Sequence, residues 1–222
     1  MLTKNFLTKR ELLFYIAFII FIIALVLDRT MWAREYAMFA ILMKLMRYVA
    51  YAICAVSILD NIYIKSKLFT IIAIFLICTL SYLGSNNITM LLYSLIFIAA
   101  YKVKENKIIL VSFVTQAIIL FFVVFLSQIG IIEDYIFTMD NRPRHALGFS
   151  WTTTSAILFT YLVFQYNCLR KNKITYVEII VIEMVNYYFY KMTDSRMAFY
   201  LTTIFLIFLC IVKLLGFKFI IT

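Results

Sequence analysis

Residues 108–130 read IILVSFVTQAIILFFVVFLSQIG, a run without one charged side chain. About 20 consecutive apolar residues in a helix cross the hydrocarbon core of a bilayer, so Ile108–Gly130 reads as a transmembrane helix. A helix is the form that suits it. Lipid offers no partner to open backbone groups, and the run lacks the alternation of a barrel strand. The rest of the chain has the same character. Of its 222 residues, 65% are apolar and 14% charged, and mean hydropathy is +0.99. A soluble domain is nearer about 45–50% apolar and about 25% charged. Too few polar side chains exist to cover a water-facing surface, which excludes a soluble enzyme, a nucleic-acid module and a disordered chain. Four glycines and one proline exclude a loop-rich or fibrous protein.

Upstream of this run, Leu12–Leu27 follows Lys4, Lys9 and Arg10. No small-residue cleavage site comes after it, so it reads as a retained signal anchor. Tyr36–Leu59 carries Lys44 and Arg47. It is either one span or an interfacial helix around Trp32–Arg47 that crosses only from Tyr48. Leu68–Leu83 and Ile88–Tyr101 are joined by the turn Gly84-Ser85-Asn86-Asn87. Downstream, a polar loop occupies 131–150. Three further spans follow: Trp151–Leu169, Ile174–Tyr190 (interrupted by Glu178 and Glu183) and Met197–Val212. The fold class is therefore all-α, a polytopic helical bundle of about eight spans forming one transmembrane domain over residues 1–222, with no soluble domain.

The net charge is +10, from 21 Lys+Arg against 11 Asp+Glu. In a soluble protein this excess would point to nucleic acid. In a membrane protein basic residues collect in cytoplasmic loops instead, and no nucleic-acid partner is implied. With eight spans, thirteen of the basic residues fall on one side and six on the other (Arg29, Arg34, Arg142, Arg144, Lys191 and Arg196), with Lys44 and Arg47 unassigned. The richer side is cytoplasmic, so both termini lie inside, and the 131–150 loop and the 191–196 turn lie outside. Cys54, Cys78, Cys168 and Cys210 sit in apolar stretches without a CxxC pair and read as packing residues. No Walker or Rossmann glycine pattern occurs, which argues against nucleotide chemistry. No internal repeat occurs either, which argues against the common transporter architectures.

Outer positive charge runs against the usual bias and needs a reason. The densest cluster is Asp140-Asn141-Arg142-Pro143-Arg144-His145, leading into Ala146-Leu147-Gly148-Phe149. It holds the single proline and single histidine of the chain. Pro143 fixes its own φ and restricts Arg142, while Gly148 permits close backbone approach or a positive φ. The second cluster is Thr193-Asp194-Ser195-Arg196. Arginine's rigid fork fits phosphate bidentately, so the two clusters are candidates for a lipid-linked phosphate or pyrophosphate. The competing reading is that they pair with lipid headgroups or with Asp140 and Asp194. His145 is either a structural hydrogen-bonder or, with an unperturbed pKa near 6.5, a general base. Ionisable groups within spans are functional candidates by default. Lys44 and Arg47 share a helix face, and an Arg47–Glu183 ion pair that holds the bundle is the plainer expectation. The many tyrosines and phenylalanines, Tyr187, Tyr188, Phe189 and Tyr190 among them, read as bulk and interfacial belt.

Arg144-His145-Ala146-Leu147-Gly148-Phe149 and, about fifty positions later, Thr193-Asp194-Ser195-Arg196 resemble the paired motifs of Wzy-type polysaccharide polymerases. These belong with the O-antigen ligase-like membrane glycosyltransferases. In that family an Arg-x-x-Leu-Gly-Phe element leaves an outer loop and a Thr-x-Ser-Arg element follows. The family often continues with His-Pro-Asn, whereas Ser150-Trp151-Thr152-Thr153 stands here. Its members commonly run to about twice this length. The expectation is thus a short variant, one half of a split protein, or the product of a truncated gene.

The resemblance implies glycosyl transfer on the outer face of a bacterial cytoplasmic membrane, in the assembly of O-antigen, capsule or exopolysaccharide. The substrate would be an oligosaccharide on undecaprenyl pyrophosphate, in contact with membrane lipid and with a flippase and a chain-length regulator as neighbours. Arg144 and Arg196 would bind the pyrophosphate, with Arg142 and Arg47 assisting, and His145 or Asp194 would take the acceptor proton. No metal and no cofactor is expected. A glycan ligase of the same superfamily and a non-enzymatic membrane component that binds a lipid-linked glycan are the alternatives.

Overall fold

In a computed structural model, residues 9–59, 68–86, 88–101, 103–139, 142–171 and 173–215 are described. Asp140, Asn141, Asn87 and the basic residues Lys4, Lys65, Lys67, Lys102 and Lys218 lie outside them. The elements are α1 (Lys9–Leu27), α2 (Met31–Glu35), α3 (Ala37–Leu59), α4 (Leu68–Ser85), α5 (Ile88–Ala100), α6 (Glu105–Gln128), β1 (Ile136–Met139), β2 (Arg142–His145), α7 (Thr154–Arg170), α8 (Tyr176–Thr193) and α9 (Arg196–Leu214). Each of the eight apolar stretches in the sequence corresponds to one long helix. Four segments are long and apolar enough to cross a membrane: Arg10–Leu27, Ala37–Ile58, Glu105–Gln128 and Arg196–Leu214. The remaining helices fall short in length or hydropathy. α5, with 13 residues, extends about 20 Å, less than the roughly 30 Å of a hydrocarbon core.

α1 is the most enclosed of the four, and Phe14, Ala17 and Ala24 lie fully buried in it. It packs on α3 and α6, and α6 in turn packs on α7, joining an α1–α3–α5 group to an α7–α8–α9 group. Outward-facing side chains are strongly apolar, among them Met38, Leu45, Ile77, Ile118, Phe125, Ile204 and Met197. Faces of this kind meet lipid rather than water. Some polar groups inside bridge one helix to the next. Gln165 Nε2 donates to Ser112 Oγ (3.1 Å), linking α7 to α6, and the Thr160 and Thr202 hydroxyls meet at 2.9 Å, linking α7 to α9.

The structure decides between two readings, adds one element and corrects one ion pair. Of the two readings of the second stretch, the structure favours one span: Tyr36 is extended, α2 ends at Glu35, and α3 runs unbroken from Ala37 to Leu59. The 131–150 loop holds an element the sequence reading did not name, an antiparallel hairpin of β1 and β2. Glu183 does not pair with Arg47. Its oxygens accept from Thr203 Oγ1 (2.8 Å) and Asn186 Nδ2 (3.2 Å), while Arg47 pairs with Asp28 at 2.9 Å. Helical reach explains this: Arg47 lies on α3 against the C-terminal end of α1, and Glu183 faces α9. Glu178 likewise has a local duty. It closes the capping box of α8 with Thr175, accepts from Tyr166 (2.6 Å) and pairs with Arg170 (2.9 Å).

Candidate functional site at one end of the bundle

The end of α1, α2, the end of α6, the hairpin, the start of α7 and the α8–α9 turn gather at one end. Backbone bonds hold them: Met31 N donates to Gly148 O (2.9 Å), and Ser150 N donates to Arg29 O (2.8 Å). Thr30 and Phe149 form an isolated bridge. The opposite end holds Arg10, which donates to Tyr101 O at 3.0 Å, and Lys213, which donates to Ile174 O at 2.9 Å.

The Leu-Gly-Phe element is a plug. Leu147 and Phe149 are fully buried. Leu147 has φ 53 and Gly148 φ 81, so two consecutive residues turn left-handed and drive the segment into α6. A Cβ on Gly148 would lie 3.1 Å from Val123 Cγ1 and 3.2 Å from Val123 O. Only glycine tolerates both that approach and that φ. The strain at Leu147 is held by Asp134, whose Oδ1 accepts the Leu147 amide at 2.7 Å. Its other oxygen, Oδ2, lies 2.6 Å from His145 Nδ1.

The Thr-Asp-Ser-Arg element is a tight turn. Thr193 Oγ1 donates to Phe189 O (2.8 Å) and accepts from Ser195 N (3.3 Å). Asp194 caps α8 in the left-handed region, φ 48, and its amide donates to Tyr190 O. This conformation, which Asp tolerates better than most residues, turns its carboxylate toward β2.

Strand alternation puts Arg142 and Arg144 on one face of β2 and Pro143 and His145 on the other. Arg144 Nη2 reaches Asp194 Oδ2 at 3.1 Å, and Arg196 Nε lies 3.6 Å from Asp194 Oδ1. The first contact is an ion pair of poor hydrogen-bond alignment: Arg144 Nε and Asp194 Oδ2 are both buried without a hydrogen-bond partner among the described residues. Three of the residues singled out in the sequence thus converge, with His145 adjoining. Arg142 is exposed opposite Met139 in the hairpin. Arg47 is not in this cluster. Bound to Asp28, it lines a separate cavity of about 160 Å³ with Lys44, Tyr48, Tyr51, Ile88, Thr89 and Leu92.

Two residues escape a reading of the sequence. Asp134, which positions His145, lies eleven positions before it in an unpatterned loop. Arg34 reads as one more outer arginine, yet its guanidinium stacks 5.4 Å from the Tyr135 ring centroid. Together with Arg144 it lines a cavity of about 560 Å³, completed by Phe137, Ser150, Trp151 and Thr152. Beside it, Glu35 shares a hydrogen bond with Glu133, and this contact raises the Glu35 pKa above its ordinary value. The arrangement offers guanidinium groups for an anion, an imidazole fixed by a carboxylate, and an aromatic-walled hollow. Comparison of the chain with protein-family models, curated proteins and solved structures finds no match.

Proposed function

We propose that this chain is a membrane glycosyltransferase of the polysaccharide-polymerase type, working on the outer face of a bacterial cytoplasmic membrane. It moves a growing glycan from undecaprenyl pyrophosphate to a sugar hydroxyl of an incoming lipid-linked repeat unit. In this reading all eight long helices belong to the membrane domain, and both termini are cytoplasmic. The support for that orientation is the thirteen-to-six loop asymmetry.

The observation that carries the reading is the convergence of Arg144 and Arg196 on Asp194, beside His145. In the proposed step the acceptor oxygen attacks the anomeric carbon of the donor. The bond from that carbon to the phosphate oxygen breaks, and its electron pair leaves with the pyrophosphate. Arg144 and Arg196 stabilise the charge that develops there, where preorganised donors count most. Asp194 keeps the two guanidinium groups together against their own repulsion. His145 receives the hydroxyl proton at Nε2, since Asp134 engages Nδ1.

Complementation of a polymerase-null strain, scored by glycan ladder length, tests this. Arg144→Lys and Arg196→Lys lose most polymer, because an ammonium cannot make the fork contact. The expected loss corresponds to about 2–4 kcal/mol in the transition state. Arg29→Lys, at the same end, keeps the ladder. Full ladders from all three variants would leave the arginines as headgroup anchors and end the polymerase reading.

A further inference from the structure

The cavity between the hairpin, α2 and the start of α7 has a wall that the pyrophosphate chemistry does not use. Its volume of about 560 Å³ falls within the roughly 300–1,000 Å³ of small-molecule sites. Tyr135, Phe137 and Trp151 expose 38%, 46% and 74% of their surface. An interfacial belt requires aromatic rings around a periphery. It does not require three of them to converge on one hollow with two guanidinium groups.

The two arginines of this hollow differ in their charge balance. Arg144 is matched by Asp194. Arg34 forms no ion pair with a carboxylate among the described residues, and its neighbour Glu35 is turned to Glu133. Stacking on Tyr135 occupies the face of the Arg34 guanidinium and leaves its N–H edge available for a planar anion. Aromatic faces suit the apolar face of a sugar ring, and the Thr152 hydroxyl adds a polar group beside them.

From this juxtaposition we propose that the cavity binds the saccharide portion of an anionic glycan. Trp151 and Tyr135 serve as ring platforms, and Arg34 binds a carboxylate carried on the sugar. The inference rests on the polymerase reading for the glycan class, and it assigns this chain an acidic repeat unit.

The test uses the full chain in nanodiscs. The chain has two tryptophans, so a Trp32→Phe background leaves Trp151 as the sole indole reporter. Trigalacturonate, maltotriose and inorganic pyrophosphate are titrated separately. Trigalacturonate is expected to shift Trp151 emission, with maltotriose at least tenfold weaker. Arg34→Gln should abolish that preference, leaving the helical circular dichroism and the pyrophosphate response intact. No Trp151 response to trigalacturonate, or an equal response to maltotriose, overturns the proposal. The two readings separate cleanly. A trigalacturonate response with no pyrophosphate response and no complementation keeps the cavity assignment and removes the polymerase one. The reverse pattern removes the cavity assignment alone.

Discussion

Asp134 and His145 meet at 2.6 Å through Oδ2 and Nδ1, and this contact decides which ring nitrogen is left for chemistry. In the neutral ring, a carboxylate acceptor at this distance fixes the proton on Nδ1 and leaves the lone pair at Nε2. In Asp134→Asn the amide donates to Nδ1 and forces the opposite tautomer, while its carbonyl still serves the Leu147 amide. Under the proposed polymerase reading, polymer formation is expected to fall by about 10²–10⁴-fold, the range of general acid–base catalysis. Thermal stability should move by less than about 1 kcal/mol. Ladder length and detergent melting, measured side by side, check both halves. A long ladder from Asp134→Asn would return His145 to a structural role.

Gly148 and Gly84 make opposite predictions. Alanine at 148 meets Val123 and Ser127 at 3.1–3.2 Å and must hold φ near 81. Overpacking and backbone strain together cost about 2–4 kcal/mol. Alanine at 84, where nothing lies within 4 Å, is expected to be neutral or slightly stabilising in α4. Melting temperatures of the purified variants distinguish the two sites.

Glu35 gives a pH dependence. Its pKa is raised first by the hydrogen bond shared with Glu133, then by burial and by repulsion from that carboxylate. A raised folded-state pKa contributes stability that is fully present below the ordinary glutamate value. That stability is lost as pH rises through the folded pKa. Protection at 31–35 and 133–135, taken as a ratio to the intrinsic exchange rate at each pH, should therefore be higher at pH 4 than at pH 7. Glu35→Gln, which keeps a donor at every pH, should flatten that difference. An unchanged difference in the variant would assign it to another group.

Cysteine at Lys191 should react with an impermeant thiol reagent applied to intact cells, and cysteine at Lys104 or Lys171 should not. All three positions are exposed, so protection reports side rather than burial. Labelling at Lys171 with none at Lys191 would invert the orientation and place the arginine cluster in the cytoplasm.

The helices were legible because apolar runs such as Ile108–Gly130 leave little choice of state. Pairing of these arginines with Asp194, Arg144 and Arg196 among them, is one of the two readings the sequence allows, and the structure bears it out; that Arg144 and Arg196 share the one carboxylate is not legible. Nothing in the spacing says that Asp194 turns left-handed and faces a strand. The hairpin escaped because Ile136–Met139 is too short to establish alternation beside so much apolar sequence. Asp134 and Arg34 escaped for a different reason. Their partners, His145 and the shared cavity, are set by how α2 and the hairpin meet in space. The sequence does not reveal the acid that Arg47 meets, because partner choice depends on which helices touch: α3 lies against α1, and Arg47 pairs with Asp28.

The backbone bonds from Ser150 and Met31 also bear on how the protein is made. Ser150 Oγ reaches Arg29 O across a separation of 121 residues. Chains are synthesised from the N-terminus. The α1–α2 corner therefore leaves the ribosome long before the hairpin and the Leu-Gly-Phe plug. The late segment settles onto a template laid down at the start of translation, and closing so long a loop is slow. Disruptive substitutions of the buried Thr30 and Met31 should then act as assembly defects, lowering the yield of intact protein.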